Sequence, residues 1–531
     1  PLIEQNEESQ NVVQNLIGEI TALSSVHQQR NNDYNSVERI MNAFALAFTD
    51  PKKPKKAILA DATEVGRNRA LAAHLFESDI VLTVPQMKGI VLMEKEQIDS
   101  LTHRRRKRKV ITGSVYRWPM DRPIPYRFKD HDPKWRSMIR EAIAIWESET
   151  CIRFQENYGA VDHIVFYKGS GCFSGIGKTG GSQMISIGFG CDSAGIITHE
   201  IGHSLGFWHE QSRPDRDYYV SIRREFIAAG TEANFLRQTL QETDNMGLPY
   251  DLGSVMHYGP EAFSTREGEV TIETNDPRFE STIGQRSGPS FVDVKQMNRL
   301  YCNEACGGMQ LACRHGGYPN PNNCQECKCP PGLTGPICTD VDGGNCGGSD
   351  LIASNGWQEI NYAGKGRCAW RIKTKNGRIR MRVSGVRYAC ERTCTSYVEI
   401  KAASDFQQTG FRVCCVDHEV NVVSDGEEVL ILSEATHLHQ ESAFRIQYVK
   451  VDSSTAEILP TDGATQQPAP AIKWVPGQEN RGFRGVDNGP VEQFILNSIP
   501  HVRDPARPGA SIASMVTEYT LGSLFSAGRR R

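Results

Sequence analysis

No cysteine precedes Cys151 and none follows Cys415 in this 531-residue chain, although there are 16 in all. An even count crowded into the middle of the chain reads as a disulfide framework made in an oxidising compartment, rather than as reduced thiols with metal clusters. Charge of one sign is also missing: 60 Lys and Arg stand against 63 Asp and Glu, a formal charge of −3. That balance argues against a nucleic-acid binder, which usually carries a basic excess over a whole domain. No apolar run approaches the ~18–20 residues that cross a bilayer, so no membrane span is expected. No Asn-x-Ser/Thr acceptor occurs, so nothing points to N-glycosylation. What is left is a chain with a hydrophobic fraction of 39%, too apolar to be wholly disordered. At roughly 150 residues per domain it suggests three or four domains. It starts at Pro1 without a signal-peptide core, as expected where a leader was removed or omitted.

Composition divides the chain. Residues 1–103 are rich in Gln, Asn and Glu and broken by Pro51 and Pro54, while Val37, Ile40, Met41, Phe44 and Ala45 recur at helical spacing. Residues 104–109 are all basic. Such a run ordinarily means a nuclear-localisation signal or a solvated tail. Here cysteine-bearing globular sequence begins just beyond it, so a site for an activating processing endoprotease fits better, with the cut after Arg108. The cut would make residues 1–108 a pro-segment. Within 109–302, Asp132-Pro133 opens an amphipathic helix to about Glu149, with Met138, Ile139, Ile143, Ile145 and Trp146 on its apolar face. Strand patterns follow at 152–154, 163–167 and 184–188. Residues 303–339 are a small cysteine-rich piece, and 342–450 are β-rich, with alternating runs at 378–383, 397–401, 429–432 and 444–449. Residues 451–531, rich in Pro and Gly and without Cys, read as a linker or disordered tail.

The densest chemistry lies in Thr198-His199-Glu200-Ile201-Gly202-His203-Ser204-Leu205-Gly206-Phe207-Trp208-His209-Glu210. On a helix of ~3.6 residues per turn, His199 and His203 project from one face and can share a metal ion. Glu200 is next to the first ligand without being one, so it can reach a water at the metal. Gly206 can take the left-handed conformation that ends a helix, returning His209 as a third ligand. Three neutral imidazoles with a fourth position left for water describe a catalytic zinc site, not a closed structural one. A lone histidine is usually a core or surface imidazole; this many fixed positions together rarely arise by chance.

These residues resemble the extended zinc motif of the metzincin peptidases and, more narrowly, the astacin family. Glu210 matches the family's Glu after the third His, and Ser254-Val255-Met256-His257-Tyr258 matches its Met-turn. The resemblance implies an α+β catalytic domain over 109–302, with a mixed sheet and an active-site helix. It implies Met256 as a hydrophobic floor beneath the imidazoles and Tyr258 as a switchable tyrosine that stabilises the oxyanion. Glu200 would act as general base towards a zinc-activated water. Cys151–Cys302 and Cys172–Cys191 would be the domain's disulfides, and the processed N-terminus would reach Glu210. Residues 184–187 would form the edge strand that pairs with an extended substrate. Phe76-Glu77-Ser78-Asp79-Ile80 resembles the family's inhibitory Phe-x-Gly-Asp motif, with Ser78 in place of Gly and Asp79 as a zinc ligand in the zymogen only. Thr282-Ile283-Gly284-Gln285-Arg286 resembles the segment of tolloid-like members that places an Arg in the S1′ pocket, implying a preference for acidic P1′ residues.

Downstream, Cys327 to Cys338 resembles the second half of an EGF-like module, which implies Cys306–Cys324, Cys313–Cys327 and Cys329–Cys338 among the 15 possible pairings. Residues 346–450 resemble an all-β CUB sandwich with Cys346–Cys368. Cys390 and Cys394 would pair with Cys414 and Cys415, one bridge beyond the common pattern, as Cys390–Cys415 and Cys394–Cys414 or the other way round. The acidic residues of calcium-binding EGF modules are not evident, and Thr395-Ser396-Tyr397 replaces the Asp-Tyr of calcium-binding CUB domains, so calcium is not expected. The whole is expected to be a secreted zinc endopeptidase, made as a zymogen with a helical or irregular pro-segment, acting on matrix precursors such as procollagens or cuticle collagens. A catalytically inactive matrix-adhesion protein using the EGF-like and CUB modules is the alternative.

Overall fold

The computed structural model describes residues 53–87 and 114–454, apart from 73, 84, 239–244, 310, 345, 347–349, 416–418 and 436–441, together with isolated positions between 37 and 49 and Ile90. Arg108 with its basic run, and the expected tail beyond 454, lie outside the described residues.

A six-stranded mixed sheet and two long helices position the site. The strands are β1 (Ile80–Val81), β2 (Ile124–Phe128), β3 (Phe154–Glu156), β4 (His163–Tyr167), β5 (Cys172–Gly175) and β6 (Ser182–Ile187), in the order β1-β5-β6-β4-β2-β3. β2, β3, β4 and β6 run parallel, and β5 is antiparallel to β6. After a short turn of helix, α1 (Glu64–Arg67), the first long helix is α2 (Pro133–Glu149). Asp132 caps α2 by accepting the amides of Lys134 and Trp135, and Pro133 supplies the preset φ of a first turn. Trp135, Ile139, Ala142, Ile143 and Trp146 form its buried stripe, at the spacing one helix face requires. α3 (Ala194–Ser204) packs across it, and the Trp146 indole donates to Thr198 O at 3.1 Å. Cys151–Cys302 ties the end of α2 to the end of α4 (Phe291–Tyr301), and Cys172–Cys191 closes the β5–β6 hairpin.

One expectation is overturned. Residues 184–187 lie in β6, which is internal, flanked by β5 and β4. The edge beside the cleft is β5, whose four residues are too few and too Gly- and Cys-rich to show alternation in sequence. Along that edge runs β1, parallel, with Ile80 opposite Ser174 and Val81 opposite Gly175.

Residues 303–341 carry three disulfides, Cys306–Cys324, Cys313–Cys327 and Cys329–Cys338, around two two-stranded ribbons. Beyond them two sheets face each other. A five-stranded one contains the strands Tyr397–Lys401, Phe411–Val413 and Glu428–Ala435, and a four-stranded one contains Arg378–Arg387 and Ser442–Val451. Ile372, Ile379, Met381, Val398, Ile400, Ile431 and Ile446 fill the space between them. Cys346–Cys368, Cys390–Cys415 and Cys394–Cys414 are bonded.

Trp146 is fully buried where α2 meets α3. Trp146→Ala should cost about 3–5 kcal/mol, through the cavity and the lost indole bond. A melting curve of the full chain should show the transition of this unit lowered by at least about 5 °C.

Candidate active site

Three imidazoles converge at the C-terminal half of α3. His199 and His203 come from successive turns of one helix face, and Gly206, at φ 112°, ends the helix and sends the chain round to His209. All three side chains are fully buried. The Nδ1 of His199 lies 2.9 Å from Val255 O, and that of His203 lies 2.7 Å from Phe207 O. A carbonyl can only accept, so both Nδ1 atoms carry the proton and both Nε2 lone pairs point inward. Those two Nε2 atoms are 3.0 Å apart with no proton between them. Facing lone pairs at that distance repel unless a cation sits between them. Asp79 adds a carboxylate, its Oδ2 3.2 Å from His199 Nε2 and 3.1 Å from His209 Nε2. The four ligand atoms lie within 4.8 Å of one another. Neutral nitrogen donors plus one carboxylate, each imidazole oriented by a hydrogen bond on its far side, fit zinc.

Glu200, on the same helix, is fully buried, and neither carboxylate oxygen has a hydrogen-bond partner among the described residues. Burial raises its pKa well above the ordinary value, and the negative charges of Asp79 and Glu64 push the same way. Met256 lies against Gly202, where an added Cβ would stand 3.2 Å from its Sδ. The turn carrying it is held by Asp293, whose carboxylate accepts from Ser254 Oγ at 2.6 Å and from Val255 N at 2.9 Å. Glu210 accepts from the Arg213 guanidinium and from the amide of Asp251. Tyr258 is buried, its ring 4.6 Å from that of His209, and its hydroxyl donates to Glu77 O.

Two acidic residues of the 64–87 segment carried no sequence signal of their own. Glu77 reaches His209 Nδ1 at 2.7 Å and accepts from Gln238 at 3.0 Å. Glu64, fully buried at the start of α1, takes the Arg286 guanidinium in a two-point pair, Nε to Oε2 at 2.7 Å and Nη2 to Oε1. Burial opposes the charge on Glu64, but Arg286 holds its pKa at about 2. Arg286 also donates to His257 O at 2.9 Å, one residue from Tyr258. So the segment meets the site at four points: the metal ligands, His209, Tyr258 and Arg286.

Among known families, residues 110–302 match the model of the Astacin peptidase family, and residues 346–448 match that of the CUB domain. Among curated proteins, the zinc metalloproteinase nas-30 of Caenorhabditis elegans is 48% identical over 96% of this chain and 70% of its own length. The zinc metalloproteinase nas-37 of the same nematode is 38% identical over 79% of this chain, and the match spans 56% of its own length. Among solved structures, high choriolytic enzyme 1, a hatching enzyme zinc-protease from the medaka fish Oryzias latipes, is 37% identical, covering 37% of this chain and 94% of its own, with a TM-score of 0.33. Fold and site together define a metal-dependent peptidase unit joined to a β-sandwich module. The chain belongs to the astacin family.

The donor set makes metal content a direct test. His203→Ala should abolish zinc retention, whereas Glu200→Ala should keep roughly one zinc per chain. Elemental analysis after gel filtration distinguishes them, and zinc retained by the His203 variant contradicts its role as a ligand.

Proposed function

We propose that the chain is a secreted zinc-dependent endopeptidase made as a zymogen, with His199, His203 and His209 as resident zinc ligands and Glu200 as general base. The observation that carries this reading is an unpartnered, buried carboxylate beside three converging imidazoles. When bound, zinc would polarise the scissile carbonyl and acidify a water. Glu200 takes the water's proton and returns it to the leaving amine. The Tyr258 hydroxyl, here engaged by Glu77 O, would donate to the carbonyl oxygen once that segment leaves. The alternative of an inactive matrix-adhesion protein is disfavoured, because a scaffold needs neither Glu200 nor Tyr258 in these positions.

Latency rests on residues 53–87. Asp79 fills the open ligand position, β1 occupies the edge of β5, and Glu64 occupies Arg286. A glutamate bound by that guanidinium is what an acidic P1′ side chain would look like, which supports Arg286 as the S1′ determinant. Cleavage after Arg108 by a processing endoprotease would free the segment. We read residues 303–339 as an EGF-like module and, with the CUB domain, as substrate- or matrix-binding. The order of modules, which resembles that of tolloid-like astacins, supports extracellular matrix precursors, procollagens or cuticle collagens, as substrates.

Glu200→Ala should lower kcat/KM on peptides by roughly 10²–10⁴-fold; activity within tenfold of the parent contradicts the general-base role. In a chain kept uncut by replacing Arg105, Arg106, Lys107 and Arg108 with Ala, both Asp79→Ala and Glu64→Ala should raise residual peptidase activity. No change in either variant argues against latency by this segment. A peptide library should show Asp or Glu enriched at P1′ by roughly 10-fold or more, the worth of a charge-assisted pair, and Arg286→Ala should flatten it.

A further inference from the structure

The segment leading to Arg286 is gripped from both sides. On the peptidase side, Gly284 (φ 82°) packs on Gly259, where an added Cβ would fall 2.4 Å from its Cα, and the Arg286 backbone lies against Gly195 of α3, where a Cβ would fall 1.7 Å from Arg286 O. On the other side lies the CUB domain. The Cys394 amide donates to Ser281 O at 2.9 Å, the Arg412 amide to Thr282 Oγ1 at 2.9 Å, and the Thr393 hydroxyl to Ile283 O at 2.9 Å. Three consecutive residues, 281, 282 and 283, are thus bonded to the second domain just before the arginine. A second grip lies beside it: Thr409 N and Oγ1 donate to the Asp251 carboxylate at 2.9 and 3.2 Å, and Gln408 donates to Tyr250 O at 2.8 Å.

The gripping surface is stiff. Cys394 and Cys414 are bonded, as are Cys390 and Cys415, so two bridges brace the turn that carries Thr393. Behind it, Glu399 accepts from Arg412 at 3.0 Å and from the Gly410 amide at 3.0 Å, and Lys401 donates to Phe406 O and Gln408 O at 3.1 and 2.7 Å. Buried charges with so many fixed partners hold one geometry. The bridge that exceeds the common pattern of these domains therefore sits where the domain touches the specificity loop.

We propose that the CUB domain is part of the specificity machinery: Thr393, braced by the paired disulfides, is a positioning residue that fixes the 281–286 loop so that Arg286 meets an acidic P1′ side chain. This rests on the S1′ role assigned to Arg286 above. A guanidinium pair needs both hydrogen bonds aligned, so a loop freed by a fraction of an ångström loses selectivity before it loses turnover.

The test uses the processed full-length enzyme and two peptides that differ only in Asp or Ala at P1′. Thr393→Val, which keeps volume but removes the donor, should lower the Asp/Ala ratio of kcat/KM by at least about fivefold, mainly through KM for the Asp peptide, with kcat/KM for the Ala peptide and zinc content unchanged. Thr393→Ser should restore the parent ratio. Thr282→Val, which breaks the neighbouring contact from the peptidase side, should reproduce the loss, so the test stands even if one variant fails to fold. A parent ratio retained in both valine variants overturns the inference while leaving the role of Arg286 intact. A parent enzyme without acidic preference overturns both.

Discussion

The structure depends on holding three imidazoles with one ring nitrogen of each aimed at one point. Left alone, that arrangement repels itself, so every nitrogen facing away from the centre must be tied down. Val255 O and Phe207 O do this for His199 and His203. Val255 is in turn fixed through its amide by Asp293, whose own carboxylate also caps the start of α4 by accepting the Ser290 amide. One buried carboxylate thus serves a helix terminus and the turn beneath the metal ligands. Cys151–Cys302 closes the far end of the same helix. The disulfide, the capping box and the turn are parts of one support under three rings.

The zinc helix was legible because its chemistry forces a local pattern: ligands four apart on one helix face, then a glycine to turn the chain. α2 was legible for the same reason, with Asp132-Pro133 at its start and a 3.6-residue stripe behind it. The strand at 152–154 was displaced by two residues, to Phe154–Glu156, since a three-residue strand offers too little alternation to fix its ends. Glu64 and Glu77 were not legible at all. They act across more than a hundred residues of chain, on Arg286 and His209; nothing local marks Glu64 among 63 acidic residues, and Glu77 stands at the variable position of the Phe76–Ile80 motif, where its own contact is not encoded. The edge strand was misplaced because β5 is short and its identity as an edge is a property of the sheet's order, not of its own sequence.

The same division holds between domains. Binary alternation located the strands of the second sandwich, because each strand buries one face against its own core. The sandwich meets the peptidase through the Phe279–Phe411 ring contact and through single polar groups, the hydroxyls of Thr282, Thr393 and Thr409 and the carboxylate of Asp251, that carry no pattern. Contacts made through isolated side-chain hydroxyls and one carboxylate leave almost no compositional trace.

Ser78 bears on what happens when the cleft empties. Glu77 and Ser78 sit at φ 46° and 70°, in the left-handed region where a side chain costs about 1–2 kcal/mol. The motif that this stretch resembles has glycine where Ser78 stands, which would carry no such cost. The strain belongs only to the docked conformation, since a free chain relaxes out of it. Glycine would lose about 0.5–1 kcal/mol more freedom on docking, so serine weakens the hold of this segment by roughly 2- to 5-fold relative to glycine. As long as the segment is covalently attached, its local concentration masks that loss. Under the proposed cleavage the freed segment would have to find the cleft again from dilute solution, and the same factor would then appear in full as a higher inhibition constant. A single methylene-hydroxyl group would thus weaken the freed peptide as a competitor for the cleft.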